Sequence, residues 1–247
     1  MILFIIFFSF FSSSFSVADT HAPSEDDGDL TLSPSIRVIG QNSSHTFLAS
    51  YENLNLSNNQ EVNSIGLTYR YRLASHSKIG FQLQQKSGLL HDRDWIEEDK
   101  SGKFVWRETH DRTEYITSIE YQYRSVLAGL LGDSWIGEIR SSIDYNTHLS
   151  SLFFRPRFGI TYFSFIKGKP AFNLFFRFTP YMRLSESLGS LYEISSYTGG
   201  AYNITDMFQI SLNYQFINQS WKFSNGANSS QKTHVFGINL NILFTDI

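Results

Sequence analysis

The sequence predicts an all-β fold, an antiparallel up-and-down transmembrane β-barrel of ten strands, with twelve strands as the alternative. Three observations carry this prediction. From residue 44 onward, apolar and polar residues alternate with a period of two, as in strands whose two faces meet different surroundings. Only 17% of the 247 residues are charged, against about 25% in soluble domains, whereas Phe, Tyr and Trp make up 16%. The links between the segments are short and long in turn, which is typical of up-and-down barrels.

The first 18 residues have the pattern of a signal peptide. An apolar run from Ile2 to Phe11 precedes Ser16-Val17-Ala18, and the small residues at positions −3 and −1 fit cleavage after Ala18. A retained anchor helix is the alternative, but the run is shorter than the ~20 apolar residues that span a bilayer. Because bacterial envelope proteins often lack disulfides, export together with zero cysteines favours a bacterial envelope protein.

Residues 19–43 are predicted to form an acidic spacer ahead of the barrel. The stretch 30–40 also alternates, and it could extend the first strand, form an eleventh strand or plug the lumen. Pro34 argues against a central strand here, because proline donates no backbone hydrogen bond. The predicted barrel therefore occupies residues 44–247.

Each of the ten predicted strands has one apolar face and one polar face. In the clearest segment, Ile65, Leu67 and Tyr69 alternate with Gly66 and Thr68. In chain order, the apolar faces run through Phe47 and Tyr51, Ile65 to Leu73, Ile79 to Leu83, Tyr115 to Tyr123, Trp135 to Tyr145, Leu152 to Tyr162, Phe172 to Leu184, Tyr192 to Ile204, Phe208 to Phe216, and Phe236 to Phe244.

Alternation alone does not tell which face is enclosed, because a soluble sandwich and a lipid-facing barrel give the same pattern. Segment length favours the barrel, since many segments are longer than the usual 5–6 residues of soluble strands. Tight links such as 75–77 and 167–169 take turns with longer ones such as 57–62 and 88–112, and Tyr and Trp cluster near segment ends. The apolar face is thus predicted to contact lipid of the bacterial outer membrane, with both termini in the periplasm.

In size, strand pattern and rows of inward arginines, residues 44–247 resemble the small outer-membrane barrels of Gram-negative bacteria. Within that group the chain is most similar to the porins for acidic oligosaccharides, the oligogalacturonate and sialic-acid channels. The resemblance implies a passive channel without a cofactor, in which arginines of the lumen bind carboxylates of the solute. It also implies twelve strands, which is why twelve stands as the alternative number.

The polar face of the predicted strands is enriched in basic residues, although the whole chain has a net charge of −3. An excess of positive charge in a narrow lumen favours anions, and the planar guanidinium group suits carboxylates. Alternatively, these side chains fill a small barrel as Arg–Glu ladders, with Glu120 available to Arg124 and Glu138 available to Arg140. The candidate anion path consists of Arg70, Arg72, Arg124, Arg140, Arg155, Arg157, Arg177 and Arg183.

The long link 88–112 is the second candidate functional region. It begins and ends with the triplet His-Asp-Arg, at 91–93 and 110–112. These triplets are predicted to meet as a charged hairpin stem, and a divalent-cation site is the alternative. Trp95 and Trp106 are its candidate contact residues, either in a cluster within the loop, in the mouth of the barrel or against a partner.

The sequence favours a channel over an enzyme. The candidate His/Ser pairs, His148 with Ser150 and His234 with Ser229 and Ser230, lack a nearby acid. No phosphate-binding loop, HExxH motif or EF-hand loop occurs, so no cofactor or metal is expected, and the net charge argues against nucleic acid as a partner. The predicted function is a passive, anion-preferring channel for small acidic solutes or oligosaccharides. A closed adhesive barrel acting through 88–112 is the alternative, an outer-membrane hydrolase is the third candidate, and the oligomeric state stays open.

Overall fold

The structure is a computed structural model that describes residues 29–55, 61–89, 95–98, 103–106, 111–147, 150–184, 191–222 and 228–245. The predicted signal peptide and most of the acidic spacer lie outside the described residues. Within them, the chain forms thirteen strands and one short helix, α1 (Ala128–Leu131). The strands are β1 (Asp29–Gln41), β2 (His45–Asn55), β3 (Glu61–Ala74), β4 (Ser77–Leu89), β5 (Trp95–Glu98), β6 (Lys103–Trp106), β7 (Asp111–Val126), β8 (Trp135–Asn146), β9 (Ser151–Ile166), β10 (Lys169–Arg183), β11 (Leu191–Asn203), β12 (Phe208–Lys222) and β13 (Asn228–Thr245).

Eleven of these strands close a single barrel, in the order β1-β13-β12-β11-β10-β9-β8-β7-β4-β3-β2. The remaining two, β5 and β6, pair only with each other, with Trp95 opposite Trp106. The predicted numbers of ten and twelve strands are therefore wrong. The extra strand is β1, which was one of the three open possibilities for residues 30–40.

Strand β1 closes the barrel by pairing antiparallel with β2 and parallel with β13, so it is a central strand in spite of Pro34. The proline fits because the β1–β2 ladder is interrupted at Ser33 and Pro34, whereas pairing with β13 continues through Pro34. The interruption matches the backbone N–H that proline lacks. An odd strand number also puts the start of β1 and the end of β13 at opposite ends of the barrel, so the expectation of both termini at one end does not hold for these strands.

The links sort into two ends, as predicted, although the difference in length is only partial. The tight-turn end carries links 42–44, 75–76, 127–134, 167–168 and 204–207, of which 127–134 contains α1. The long-link end carries 56–60, 90–110, 147–150, 184–190 and 223–227, of which 147–150 is short.

Most apolar side chains point out of the barrel and most polar side chains point in, which is the phase predicted for every strand. Leu67 and Ile119 are 56% and 62% exposed on the outside, whereas the inward Ser118 and Asp144 are each 1% exposed. The registers shift by about 14 residues around the circle, which for eleven strands gives a tilt of about 40° and a backbone radius of about 11 Å. Such an interior is wider than that of an eight-stranded barrel.

No helix among the described residues is long and apolar enough to cross a bilayer.

The closing pair can be tested by cross-linking, since the chain contains no cysteine of its own. Leu32 and Phe236 are direct partners in the β1–β13 ladder, so Leu32→Cys with Phe236→Cys should form a disulfide under mild oxidation. The control combines Leu32→Cys with Tyr214→Cys on β12, one strand further away and beyond the ~7 Å that a disulfide can bridge. Gel mobility without reductant would show the cross-link. Equal cross-linking of both pairs, or of neither, would contradict the eleven-stranded closure.

Candidate functional site

The candidate site is the lumen, and all eight predicted arginines lie on its inward-facing positions. They alternate with outward apolar residues on β3, β7, β8, β9 and β10. Sequence reasoning missed a ninth, Arg37, which lies on the inward phase of β1. The alternation of residues 30–40 indicates this position, because Arg37 lies between Ile36 and Val38 and so falls on the polar face.

A network of ion pairs holds three of these arginines against the wall between β3 and β8. Arg70 is bonded to Glu120, Arg140 lies 3.7 Å from Glu120 and 3.2 Å from Glu138, and Arg124 Nε lies 2.6 Å from Glu138. The expected pairing of Glu138 with Arg140 is present. Glu120, however, pairs with Arg70 and Arg140, while Arg124 pairs with Glu138.

The Arg70–Glu120 pair crosses over strand β4, and Gly80 makes this possible. Gly80 is the direct neighbour of Arg70 on one side and of Glu120 on the other. A Cβ atom at Gly80 would lie 2.9 Å from Glu120 Cγ and 3.0 Å from Arg70 Cγ. Because both carbons are close to the backbone, the two side chains could not simply swing aside.

A further ion pair, separate from this network, neutralises Arg155 on β9. Arg155 Nε lies 3.0 Å from Asp144, which is almost fully buried, and 3.2 Å from Ser142 Oγ. Arg183 donates to Ser151 Oγ at 2.8 Å. A buried carboxylate without a partner would be costly, so the contact with Asp144 keeps Arg155 in place.

Arg157 and Arg177 form no ion pair with a carboxylate in the described part of the chain. Arg157 Nε donates only to the hydroxyl of Thr179, at 3.4 Å. The guanidinium of Arg177 lies 4.8 Å from the ring centre of Phe175 and 5.6 Å from that of Tyr197. These two cations are therefore ones that an anion in the lumen could neutralise.

Aromatic residues inside the lumen are the second feature that sequence reasoning missed. Phe175 and Tyr197 stack with ring centres 5.3 Å apart, and Phe175 lies over Gly199, where a Cβ would come within 2.8 Å of its ring. Phe153 and Tyr181 stack at 4.6 Å with an interplanar angle of 6°. The alternation of β9, β10 and β11 could have predicted their position, because these rings fall on the same face of the strands as the arginines.

The tight-turn end of the lumen has a mouth of like charges. Arg72 and Lys78 are direct neighbours across β3 and β4, an arrangement that is unfavourable without an anion. Lys78 Nζ donates to Thr46 Oγ1 at 3.0 Å, and Arg124, which is half exposed, lies on the next strand. The mouth can therefore attract small anions from solution.

The other predicted regions are placed only in part. Residues 90–94 and 107–110 of the long link lie outside the described residues, and β7 pairs Asp111 with Leu89 rather than with the first His-Asp-Arg triplet. Trp95 and Trp106 are paired through their backbones, and their side chains lie outside the described part of the structure.

The histidines considered for an enzyme form no catalytic arrangement among the described residues. His148 lies outside the described residues, and His234 faces outward with its Nδ1 2.7 Å from the hydroxyl of Tyr214. Within the described ranges, no group of three His, Asp or Glu residues could hold a metal ion.

Comparison with known proteins identifies no relative, because neither a family model nor a curated protein matches the chain.

The role of Gly80 leads to a stability prediction. Gly80→Ala should lower the free energy of unfolding by about 1–3 kcal/mol, because the added methyl group displaces the buried Arg70–Glu120 pair. Gly129→Ala in α1 is the matched control, since nothing lies within 4 Å of its Cβ position. Urea unfolding of both variants in lipid vesicles measures the difference. Equal stability of the two variants would mean that the ion pair does not depend on Gly80.

Proposed function

We propose that the protein is a barrel of the bacterial outer membrane that acts as a passive, anion-preferring channel for small acidic solutes or oligosaccharides. One observation carries the membrane placement. Apart from Lys169 at the tight-turn end and Lys232 near the long-link end, the outward side chains described on the eleven barrel strands include no Asp, Glu, Lys or Arg. Such a surface is unfavourable in water and suits hydrocarbon, and a closed barrel satisfies the backbone hydrogen bonds that lipid cannot.

The height of the apolar belt supports this placement. Tyr115 and Tyr123 lie on the outside of β7, eight residues apart, near its two ends. With a rise of about 3.3 Å per residue and a tilt of about 40°, they are separated by about 20 Å along the barrel axis, close to the ~25 Å band of outer-membrane barrels. Trp135 and Tyr162 pack against each other at the tight-turn end, as interfacial aromatics do. In this orientation the tight turns face the periplasm.

The lumen supports the preference for anions. Its inward positions hold more basic than acidic side chains, and the acidic ones Glu120, Glu138 and Asp144 are already bonded to arginines. Arg157 and Arg177 are among the charges that no carboxylate of the described lumen compensates, and an anion passing them gains the Coulomb energy that a cation loses.

A closed barrel that acts through its 88–112 link is the second candidate. It is favoured by the near-complete burial of Phe153 at 0% and Asp144 at 1%, which indicates dense packing at that level of the lumen. The hairpin of β5 and β6 adds a structured element outside the barrel sheet. A closed barrel predicts no conductance, so the two candidates are separated by one measurement.

Membrane insertion is tested by placing a charge on the outer face. Leu67→Arg puts a guanidinium in the middle of the apolar belt, which should destabilise the inserted state by about 2–4 kcal/mol. Leu130→Arg is the control, because Leu130 is 83% exposed in α1, beyond the strands. The measurement is the fraction of refolded protein in lipid vesicles. If both variants insert as well as the unmodified chain, the outer face does not contact lipid.

Ion selectivity is tested in planar bilayers under a gradient of KCl. Combining Arg157→Gln with Arg177→Gln should lower the ratio of chloride to potassium permeability by about tenfold, because two uncompensated charges leave the path. Lys169→Gln is the control, since Lys169 pairs with Asp206 on the surface of the tight-turn end. Absence of conductance from the folded, unmodified protein would refute the channel and favour the closed barrel.

A further inference from the structure

Arg37 enters the lumen from the wall opposite to Arg157 and Arg177. In the order of the barrel, β1 is five strands away from β9 in one direction and six in the other. The direct ladder neighbours of Arg37 are neutral, Asn241 on β13 and Ser50 on β2. Like Arg157 and Arg177, Arg37 has no carboxylate partner within the described residues. Both walls of the lumen therefore carry uncompensated arginines.

These three arginines lie at nearly the same level of the barrel. Ladder partners followed from Arg177 across β11, β12 and β13 lead to Thr31 on β1, six residues before Arg37. Because the registers shift by about 14 residues over eleven strands, the tilt across four strands accounts for about five of these six residues. The remaining residue corresponds to about 3 Å of height. Arg157 belongs to the same level, since its Nε contacts Thr179, two residues from Arg177.

Side chains from the two walls can reach one small group between them. With a backbone radius of about 11 Å, β1 and β10 lie about 20 Å apart across the lumen. An arginine extends about 6 Å from its Cα to its guanidinium carbon, so two that point inward leave about 8 Å between these carbons. In agreement with this proximity, the charge of Arg37 is among those that act on Arg177.

The wall beside Arg157 offers no spare negative charge. Arg157 is the direct ladder neighbour of Arg140 on β8, and like charges in this position repel each other. Arg140 shares its two carboxylates with two other arginines. Its Nε is buried and has no hydrogen-bond partner in the described part of the chain. A dianion at this level would thus relieve repulsion that the described carboxylates leave in place.

We propose that this level of the lumen is a binding site for the phosphate group of a small solute, with Arg37 as the residue that determines specificity. A phosphate monoester carries up to two negative charges on one group, so it can compensate several arginines at once. Its three terminal oxygens diverge and can accept hydrogen bonds from both walls, whereas a carboxylate presents two oxygens in one plane to a single guanidinium fork. The site rests on the proposed channel in one respect, because it names the class of solute that enters the lumen.

The test is isothermal titration calorimetry with the full chain in phosphatidylcholine nanodiscs at pH 8, with empty nanodiscs as the blank. Glycerol 3-phosphate should bind about tenfold more tightly than glycerate, which replaces the phosphate by a carboxylate, and more tightly than the dicarboxylate malonate. Equal affinity for either carboxylate overturns the site. Inorganic phosphate is the second titrant: affinity equal to that of the ester indicates that free phosphate is the solute, and weaker binding indicates an ester.

The contribution of Arg37 is measured with the same titration. Arg37→Gln should weaken binding of glycerol 3-phosphate by about tenfold, and Arg37→Lys should recover part of it, because lysine keeps the charge but not the fork. Arg72→Gln removes the same charge at the mouth and should weaken binding less. Lys169→Gln, on the outer surface, should bind as the unmodified protein does.

The variants separate a site from general attraction. An equal loss in Arg37→Gln and Arg72→Gln, or no loss in Arg37→Gln, overturns the site. If Arg37→Gln does not fold, Arg37→Lys serves alone and should bind the ester about threefold more weakly than the unmodified protein. Binding of phosphate by a protein that conducts no ions would refute the channel and leave this site standing. Chloride conduction without preferred binding of phosphate would do the reverse.

Discussion

The rest of the structure depends on the parallel pairing of β1 with β13. Without it, β1 and β13 would be free edges, and two rows of backbone donors and acceptors would have no partner. Closure lets the outer surface be apolar over the whole circumference, because the backbone groups of both edges are paired with each other and need no hydrogen bonds from water. It also encloses the polar side chains, so that the same alternation produces an exterior fit for lipid and an interior rich in arginine.

Enclosure determines which arginines are available to a solute. An arginine that leaves water needs a compensating charge or ring, and the described lumen provides these unevenly. Glu120, Glu138 and Asp144 neutralise Arg70, Arg124, Arg140 and Arg155, whereas in the described lumen Arg177 has only two aromatic rings and Arg157 only a hydroxyl. Uncompensated charge therefore occurs at two places, around β9 and β10 and at the mouth with Arg72 and Lys78, and this local imbalance, more than the total, favours anions.

The phase of every strand could be predicted from sequence, because a period of two fixes which residues share a face. The strand number could not, since Pro34 argues against a central strand and left the role of residues 30–40 open, while the barrel accommodates it by interrupting a single ladder. Parallel closure also leaves no local pattern in the sequence. The ion pairs were predicted only between near neighbours in sequence, whereas Arg70 reaches Glu120 across a strand through a space that only Gly80 leaves.

Three of the four strand prolines follow one rule, whereas Pro170 lies beside the register shift of the β9–β10 ladder. Pro34, Pro156 and Pro180 lie on the outward phase of their strands, and each lies where one ladder is interrupted while pairing on its other side continues. A lone proline removes one donor and leaves its strand held by the remaining neighbour. Two opposed prolines remove both donors of one pair, so β9 and β10 are held together there by side chains. Phe153 and Tyr181 stack across this stretch, and aromatic packing in the lumen thus replaces the two missing backbone bonds of the wall.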